Sequence, residues 1–327
     1  MSLRSLKYWG FKVILSLLTL GFVVACQGGT PVDQSATVDC IDVDHAAGTT
    51  CVPDTFERLV TLDGVTFEYA IAAGLSPIAT AASGLMDHMA EQLANVENVG
   101  ITGEPNLEQV LALKPDLIVG LDVNQAVYAQ AAQIAPTVML GFEHSGQWKA
   151  SFQKLAEALG QANVAQQTMA DYDARVADFR AQMGERLSTL QVSVVRIYPD
   201  TINLYLKDSF CGTVLQDAGL SRPPAQDIGA DDANVRFGNA IQTSISRELF
   251  DQADGDVIFL WTGENTAEAA ATAQQKLDAL QQDPLWRQLK AVQAGRVYIV
   301  PSYWIGSGPI AANAVLDDLF KYLVEPA

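Results

Sequence analysis

Residues 105–120 read PNLEQVLALKPDLIVG, and this stretch decides the fold. Asn106 is a typical helix N-cap, and the apolar spacing after it predicts a helix over residues 106–113. Pro115 ends that helix, because the residue before a proline disfavours the helical conformation. Residues 116–120 then form a short apolar run, typical of a strand that is buried on both faces. A helix that leads directly into such a strand indicates a βαβ unit and a parallel sheet.

The same alternation of strands and helices continues on both sides of this stretch. Short β-rich runs predict strands at residues 58–62, 77–81, 116–120, 137–140, 192–198, 203–206, 256–261 and 296–300. Helical patterns predict helices at residues 106–113, 148–159, 209–218, 267–282 and 309–323. We therefore expect two α/β halves, each built on a mainly parallel sheet.

One unbroken helical pattern, from about residue 163 to residue 190, separates the two halves. Its apolar residues recur mostly every three or four positions and form one stripe: Val164, Met169, Tyr172, Val176, Phe179, Met183 and Leu187. The predicted fold is α/β, with two Rossmann-like lobes joined by one long α-helix. The predicted parts are a signal peptide with a lipobox (1–25), a lipidated tether and arm (26–53), an N-terminal lobe (54–160), the connecting helix (161–190) and a C-terminal lobe (191–327).

The N-terminus predicts export and lipid anchoring. Three basic residues precede a short apolar run at residues 13–24, which is typical of a secretory signal and too short for a comfortable membrane span. The run ends in Val23-Val24-Ala25-Cys26, the pattern of a bacterial lipobox, so we expect cleavage before Cys26 and lipid on its thiol. The alternative is an ordinary signal peptide with a chance cysteine. In either case the protein is expected on the outer side of the cytoplasmic membrane.

The remaining cysteines agree with an oxidising compartment. Cys40 and Cys51 flank a short polar stretch with Gly48 at its turn, so a disulfide across a hairpin is favoured over two free thiols. Cys211 lies among apolar residues and is interpreted as a buried apolar side chain rather than a nucleophile.

The charge balance excludes some partners. Without Arg4, Lys7 and Lys12 the chain keeps 17 basic residues against 38 acidic ones, a formal net charge of −21. Such a surface repels nucleic acid and anionic lipid. We expect a monomer that contacts the membrane only through its lipid.

Four short strings carry a resemblance to a known family. They are PNLEQVLALKPDLI at residues 105–118, IAPTV at 134–138, the segment from Ser209-Phe210 to DAGLSRP at 217–223, and WIGSGP at 304–309 followed by LDDL at 316–319. In this order and spacing the chain resembles the iron-siderophore and vitamin B12 class of periplasmic binding proteins, which serve ABC importers. The resemblance implies two lobes around a cleft, one connecting helix, little closure on binding and a membrane permease as partner.

The resemblance also implies two docking residues. In this family one surface glutamate on each lobe is understood to pair with arginines of the permease, and the matching positions are Glu108 and Glu248. Asn106 and Ser246 are suitable N-caps, which would place each glutamate in a first helical turn. The alternative is that each glutamate only complements a helix dipole, at about 0.5 kcal/mol.

Ligand contacts are expected beyond the carboxyl ends of the parallel strands. The residues at these ends, with one from a loop before residue 245, are Arg196, Tyr198, Trp261, Tyr303, Trp304 and Arg236, and Tyr128 and Trp148 are further candidates from the first lobe. Arginine forks and aromatic walls suit a ferric hydroxamate or citrate-hydroxamate. The alternatives are an internal ion pair for Arg196 and ordinary core packing for the tryptophans.

Other ligands and functions remain open at this point. A zinc or manganese carrier needs converging histidines, and His45, His88 and His144 are far apart in sequence, although a site that combines His88, His144 and Glu143 stays open. Haem or cobalamin also stays open, with Tyr198 or Tyr303 as an axial ligand to haem. No nucleophile elbow or phosphate-binding motif is present, so we expect no enzyme and no cofactor. A lipoprotein adhesin or sensor would share the fold.

Overall fold

A computed structural model describes residues 39–82, 84–264 and 266–324. The predicted signal peptide and Cys26 lie outside the described residues. No helix in the described part of the chain is long and apolar enough to cross a membrane.

The order of elements follows the predicted alternation. The strands are β1 (Cys40–His45), β2 (Gly48–Pro53), β3 (Leu59–Thr61), β4 (Ala79–Thr80), β5 (Glu97–Asn98), β6 (Gly100–Ile101), β7 (Glu104–Pro105), β8 (Leu117–Leu121), β9 (Thr137–Leu140), β10 (Val192–Ile197), β11 (Ile202–Tyr205), β12 (Gln242–Ile245), β13 (Val257–Thr262) and β14 (Val297–Ile299). The α-helices are α1 (Gly64–Ala72), α2 (Ala90–Leu93), α3 (Leu107–Ala112), α4 (Tyr128–Ile134), α5 (Trp148–Ala158), α6 (Ala162–Met183), α7 (Phe210–Asp217), α8 (Ala230–Phe237), α9 (Ala267–Gln282), α10 (Lys290–Gln293) and α11 (Pro309–Leu319).

Each lobe is built on a five-stranded sheet. The N-terminal sheet has the order β5-β4-β3-β8-β9 and is parallel throughout. The C-terminal sheet has the order β12-β11-β10-β13-β14. Strands β10, β13 and β14 are parallel to one another, and β11 is antiparallel to both of its neighbours, β10 and β12. Residues 105–120 fold as predicted: Asn106 caps α3 by accepting from the backbone N–H groups of Glu108 and Gln109, and β8 follows as a fully buried strand.

A hairpin precedes the N-terminal sheet and covers one of its edges. Its strands β1 and β2 are joined by a disulfide between Cys40 and Cys51, with the Cα atoms 5.5 Å apart. The Thr50 hydroxyl donates to the Thr137 carbonyl at 2.8 Å, and the Ala46 N–H donates to the Met139 carbonyl at 2.8 Å. The hairpin therefore occupies part of the free edge of β9, which would otherwise be open to pairing with another chain.

The long helix α6 has 22 residues, about 33 Å at 1.5 Å per residue. It buries one face, formed by Ala165, Met169, Tyr172, Val176, Phe179 and Met183. The predicted stripe is wrong at Val164, which is 39% exposed. The predicted helix is also too long, because Gly184 adopts φ +56° and a 3₁₀ turn over Gly184–Ser188 follows.

One continuous apolar cluster joins the two lobes through α6. It contains Val119 of the N-terminal sheet, Tyr172 and Val176 of α6, and Val194 and Phe259 of the C-terminal sheet. Because relative movement of the lobes would open this packed core, we expect the lobes to keep their orientation.

Several elements differ from the sequence-based expectation, and two of them concern predicted site residues. Arg236 lies on helix α8 rather than on a loop, and Ile245 ends the edge strand β12 rather than opening a helix. The segment after it, Arg247–Ala253, is 3₁₀-helical. Strand β12 was missed because only its last residue is fully buried, so its sequence shows no apolar run.

Candidate functional site: the cleft between the lobes

A cavity of about 730 Å³ lies between the lobes. The N-terminal lobe contributes Gly64, Val65, Glu68, Leu85, Met86, His88, Met89, Thr102, Phe142, Glu143, His144 and Ser145. The C-terminal lobe contributes Asn234, Gly238, Asn239, Ala240, Ile241, Ile305, Gly306 and Ser307. The volume falls in the range of roughly 300–1,000 Å³ that is usual for small-molecule sites.

The fold explains which segments meet here. Phe142 to Ser145 follow the carboxyl end of β9, where ligands of open α/β sheets bind. Glu68 is on α1, which follows the carboxyl end of β3. On the other side, Asn234 is on α8, and Ser307 lies in the glycine-flanked turn that enters α11.

The lining is weakly polar and carries no basic side chain other than histidine among the described residues. Its carboxyl groups belong to Glu68 and Glu143, and its imidazoles to His88 and His144. Burial raises the pKa of Glu68 to about 7, although backbone N–H groups of Ala311 and Ile310 oppose that shift. Burial also lowers the pKa of His88, against the opposing charge of Asp87. Near neutral pH, Glu68 therefore contributes to a change in the charge of this cavity.

Arg196, a predicted ligand contact, lies beside the cleft but not in its lining. It is on the central strand β10, 4% exposed, and donates to the hydroxyl groups of Tyr198 at 2.8 Å and Tyr205 at 3.1 Å. Its guanidinium lies 3.9 Å from the Tyr198 ring centre and 4.4 Å from that of Trp261, and it forms an ion pair with Glu264 at 3.6 Å. The internal ion pair that the sequence left open is thus present, and the predicted contact of Arg196 with a ligand has no support in this geometry.

The predicted tryptophan contacts lie in the core. Trp261 and Trp304 are completely buried, and neither lines the cavity. Trp304 stacks on Phe259 with ring centres 4.4 Å apart and donates its indole N–H to Asp318 at 2.8 Å. The hydroxyl of the half-buried Tyr303 donates to the same Asp318 carboxylate at 2.8 Å. Both tryptophans therefore show ordinary core packing, which was the alternative to ligand contact.

The remaining candidates do not line the cavity. Arg236 is exposed on α8, two residues from the lining residues Asn234 and Gly238, and its nearest acidic partner is Asp232 at 3.9 Å. Tyr128 packs edge-on against His45 of the hairpin, and Trp148 is buried and donates to the Thr213 hydroxyl at 3.0 Å. Of the basic and aromatic candidates, only Arg236 is both exposed and adjacent in sequence to the lining.

The possible metal site can be examined directly. His88, His144 and Glu143 do line one cavity, whereas His45 is on the hairpin. In the described part of the chain, however, no three His, Cys, Asp or Glu side chains lie close enough together to hold a metal ion. The geometry therefore gives no support to direct binding of a bare metal ion.

The two predicted docking glutamates are exposed, one on each lobe. Glu108 is in the first turn of α3, and Glu248 is in the first turn of the 3₁₀ segment. A hydrogen bond from Ser246 holds the pKa of Glu248 below its usual range, so that side chain is ionised at neutral pH. Both carboxylates are available to a partner.

Sequence reasoning missed most of the lining. Glu68, Met86, Phe142, Asn234 and Asn239 were not predicted, although all of them face the cavity. One signal was readable: Glu68 is the only charged residue in the apolar helix sequence GVTFEYAIA. A lone carboxyl group in such a helix is costly to bury unless it has partners.

Comparisons with known proteins identify the family. Residues 59–304 match the profile of the periplasmic binding protein family. The chain is 33% identical over 293 residues to the probable siderophore-binding lipoprotein YfiY of Bacillus subtilis, covering 86% of this chain and 87% of that protein.

Two solved structures are also similar. Staphylococcus aureus SirA in complex with staphyloferrin B shares 28% identity and a TM-score of 0.74, over 86% of this chain and 98% of that one. The siderophore-binding protein FhuD from Vibrio cholerae, with bound Fe³⁺–Desferal, shares 27% identity and a TM-score of 0.66, over 84% and 100%. The predicted two-lobe α/β fold and the family resemblance are both confirmed, and these relatives are binding proteins rather than enzymes. The chain belongs to the periplasmic binding protein family.

Proposed function

We propose that this protein captures a ferric siderophore in the interlobe cleft, outside the cytoplasmic membrane, and delivers it to the permease of an ABC importer. The observation that carries the proposal is the cavity of about 730 Å³, which both lobes line and which suits a compact chelate. The siderophore-binding relatives support the same class of ligand.

The lining favours a chelate of low charge. Three hydroxamates neutralise Fe³⁺, whereas three catecholate dianions leave a strongly negative complex. A citrate-hydroxamate without further free carboxylates lies between the two. A strongly anionic complex would face Glu143 and the ionised form of Glu68 with no lysine or arginine among the described lining residues. We therefore propose a hydroxamate or citrate-hydroxamate ligand. Arg236 is exposed on α8, two residues from the lining residues Asn234 and Gly238, and we propose that it donates to the oxygen atoms of the ligand.

A calorimetric titration of the full chain, purified in detergent, tests the cargo. The panel contains a ferric trihydroxamate, a ferric citrate-hydroxamate, a ferric tris-catecholate, haem, cobalamin and zinc. We expect saturable binding of the first two only. Binding of haem or cobalamin alone would replace the cargo and keep the importer, and binding of zinc alone would contradict the chelate proposal.

A pair of variants tests the location of the site. Asn234 lines the cavity from α8, and a tryptophan at this position would fill part of the cavity volume. Asn234→Trp should therefore weaken chelate binding at least tenfold. Gln166→Trp places the same side chain on the exposed face of α6 and should leave affinity unchanged. Equal affinities in the two variants would mean that the ligand binds elsewhere.

Delivery is tested through the two exposed glutamates. We propose that Glu108 and Glu248 dock on the permease, so that Glu108→Ala with Glu248→Ala abolishes uptake of the labelled chelate while binding in solution is retained. The matched control is Glu91→Ala with Glu268→Ala, because these exposed glutamates also lie in first helical turns, of α2 and α9. If each glutamate only complements a helix dipole, the two pairs will behave alike and uptake will survive in both.

A cysteine variant tests the anchor. We propose that Cys26 carries lipid, so Cys26→Ser should release the protein from the membrane fraction. Recovery of the unmodified protein outside the membrane fraction would favour an ordinary signal peptide instead.

A further inference from the structure

Glu68 is a buried carboxyl group in the wall of the ligand cavity. It lies on α1 between the fully buried Phe67 and Tyr69 and is itself 4% exposed. It nevertheless lines the cavity. A change in its charge will therefore be felt by whatever occupies the cleft, with little screening by solvent.

The surroundings of Glu68 are shaped around its carboxyl group. Its Oε1 accepts from the backbone N–H of Ala311 at 2.9 Å, in the first turn of α11, which has Gly308 as its N-cap. A Cβ atom at Gly308 would lie 2.5 Å from the Glu68 Cδ, so the absence of a side chain there permits the contact. The helix N-terminus stabilises the ionised form, but burial outweighs it and the pKa is raised to about 7.

No lysine or arginine on the described lining offsets this charge. Besides Glu68, the ionisable residues on or next to α1, on α11 and on or next to the cavity lining are Asp63, Tyr69, Asp87, His88, Glu143, His144, Asp317 and Asp318. Lys149 of the adjacent helix α5 is paired with Asp217. Ionised Glu68 therefore adds a negative charge to a cavity wall that already carries Glu143.

We propose that Glu68 determines which charge of ferric chelate the cleft accepts. Its ionised carboxylate disfavours anionic chelates, its protonated form admits them, and uncharged chelates bind equally well to both forms. This inference rests on the proposed function of the cleft. The sign follows from Coulomb repulsion: affinity for an anionic chelate falls as pH rises through about 7, because the protein then places like charge beside like charge.

The test uses two chelates that share one iron centre. Ferrioxamine with its terminal amine acetylated is uncharged, and the succinylated form carries a carboxylate that stays ionised between pH 6 and pH 8. Calorimetric affinities of both are measured at these two pH values with the full chain and with two variants. Glu68→Gln keeps an oxygen acceptor for Ala311 and cannot ionise, whereas Glu143→Gln removes the exposed carboxylate of the same cavity.

In the unmodified protein, we expect the affinity for the anionic form, relative to the uncharged form, to fall on the order of tenfold from pH 6 to pH 8. Glu68→Gln should remove most of this fall, and Glu143→Gln should retain most of it. Binding of the uncharged chelate by Glu68→Gln shows that its cleft is intact.

Two outcomes would overturn the inference in distinguishable ways. If both chelates bind and the ratio changes with pH equally in the unmodified protein and in Glu68→Gln, another group selects the charge and only this inference fails. If neither chelate binds the unmodified protein, the proposed hydroxamate function fails and this inference fails with it. If Glu68→Gln does not fold, the unmodified protein alone tests the inference. An affinity ratio of the anionic to the uncharged chelate that stays constant between pH 6 and pH 8 would then contradict it.

Discussion

The carboxyl group of Glu68 accepts a hydrogen bond from the backbone N–H of Ala311 at 2.9 Å. This contact links α1 of the N-terminal lobe to the first turn of α11 in the C-terminal segment, beside the cavity. One side chain thus takes part both in the packing between the lobes and in the electrostatics of the site. Stability and ligand selection can be measured separately at this residue, because unfolding is followed without ligand and selection is the ratio of two affinities.

Glu68 should make stability fall as pH rises. An unfolded chain ionises this group near 4.5, whereas the folded protein holds the proton until about pH 7. The contribution is therefore intact below pH 4.5 and is lost as pH rises through 7, at a cost of up to ~3 kcal/mol. Urea unfolding of Glu68→Gln and of the unmodified protein at pH 5, 6, 7 and 8 measures the difference. A difference that does not vary with pH would contradict the burial argument.

Gly308→Ala should destabilise the contact between α1 and α11. The added Cβ would lie within 2.5 Å of Glu68, so one of the two segments must move, at a cost of about 1–3 kcal/mol. Gly141→Ala is the control, since its Cβ would meet only Ala46 at 4.0 Å and its φ is not in the left-handed region. Denaturant midpoints of the two variants provide the comparison, and equal midpoints would show that the Gly308 site relaxes freely.

Arg196 should act as a structural residue. Arg196→Met removes its bonds to Tyr198 and Tyr205 and leaves Glu264 without its partner, so we expect a loss of ~3 kcal/mol. Adding Glu264→Gln should restore part of this loss, and a double-mutant cycle measures the coupling. Chelate affinity should be unchanged because Arg196 does not line the cavity. A tenfold loss of affinity in a variant of normal stability would instead establish Arg196 as a ligand contact.

The disulfide should protect the edge of the N-terminal sheet. It closes a loop with a sequence separation of 11, which corresponds to a stabilisation of up to ~3 kcal/mol. Cys40→Ser with Cys51→Ser should therefore loosen the hairpin and expose the edge strand at residues 137–140. Hydrogen exchange should quicken there while α9, in the other lobe, stays protected. Uniform acceleration over the whole chain would mean that the hairpin supports the global fold.

Local patterning predicted most of the secondary structure. The strand at residues 137–140 and the helix at residues 267–282 agree with the structure at both ends, because a continuous apolar run and a helical period are properties of neighbouring residues. The edge strand β12 was missed for the complementary reason: only one of its residues is fully buried, so its sequence lacks that run. The end of α6 was predicted too far along the chain, because a glycine can lie within a helix or end one. The sequence does not show that Gly184 adopts φ +56° and ends this helix.

The site was far less predictable than the fold. The rule that ligands bind beyond strand ends located the correct edge of each sheet, but it did not show which way each side chain points. Arg196, Trp261 and Trp304 lie at or near those ends, yet neighbouring aromatic rings enclose all three. Glu68 and Ser307, which do line the cavity, are separated by more than half the chain.

The sequence by itself determined the family, the alternation of the main strands and helices, the two lobes with their connecting helix, and the hairpin with its cysteines. These features depend on the local spacing of apolar residues, caps and glycines, which are readable in any short window. Only the tertiary structure decided which residues form the cleft and which carboxyl group in its wall is buried. A cavity is formed by segments that are distant in sequence, and the charge of Glu68 depends on desolvation by those same segments, which no short window of sequence contains.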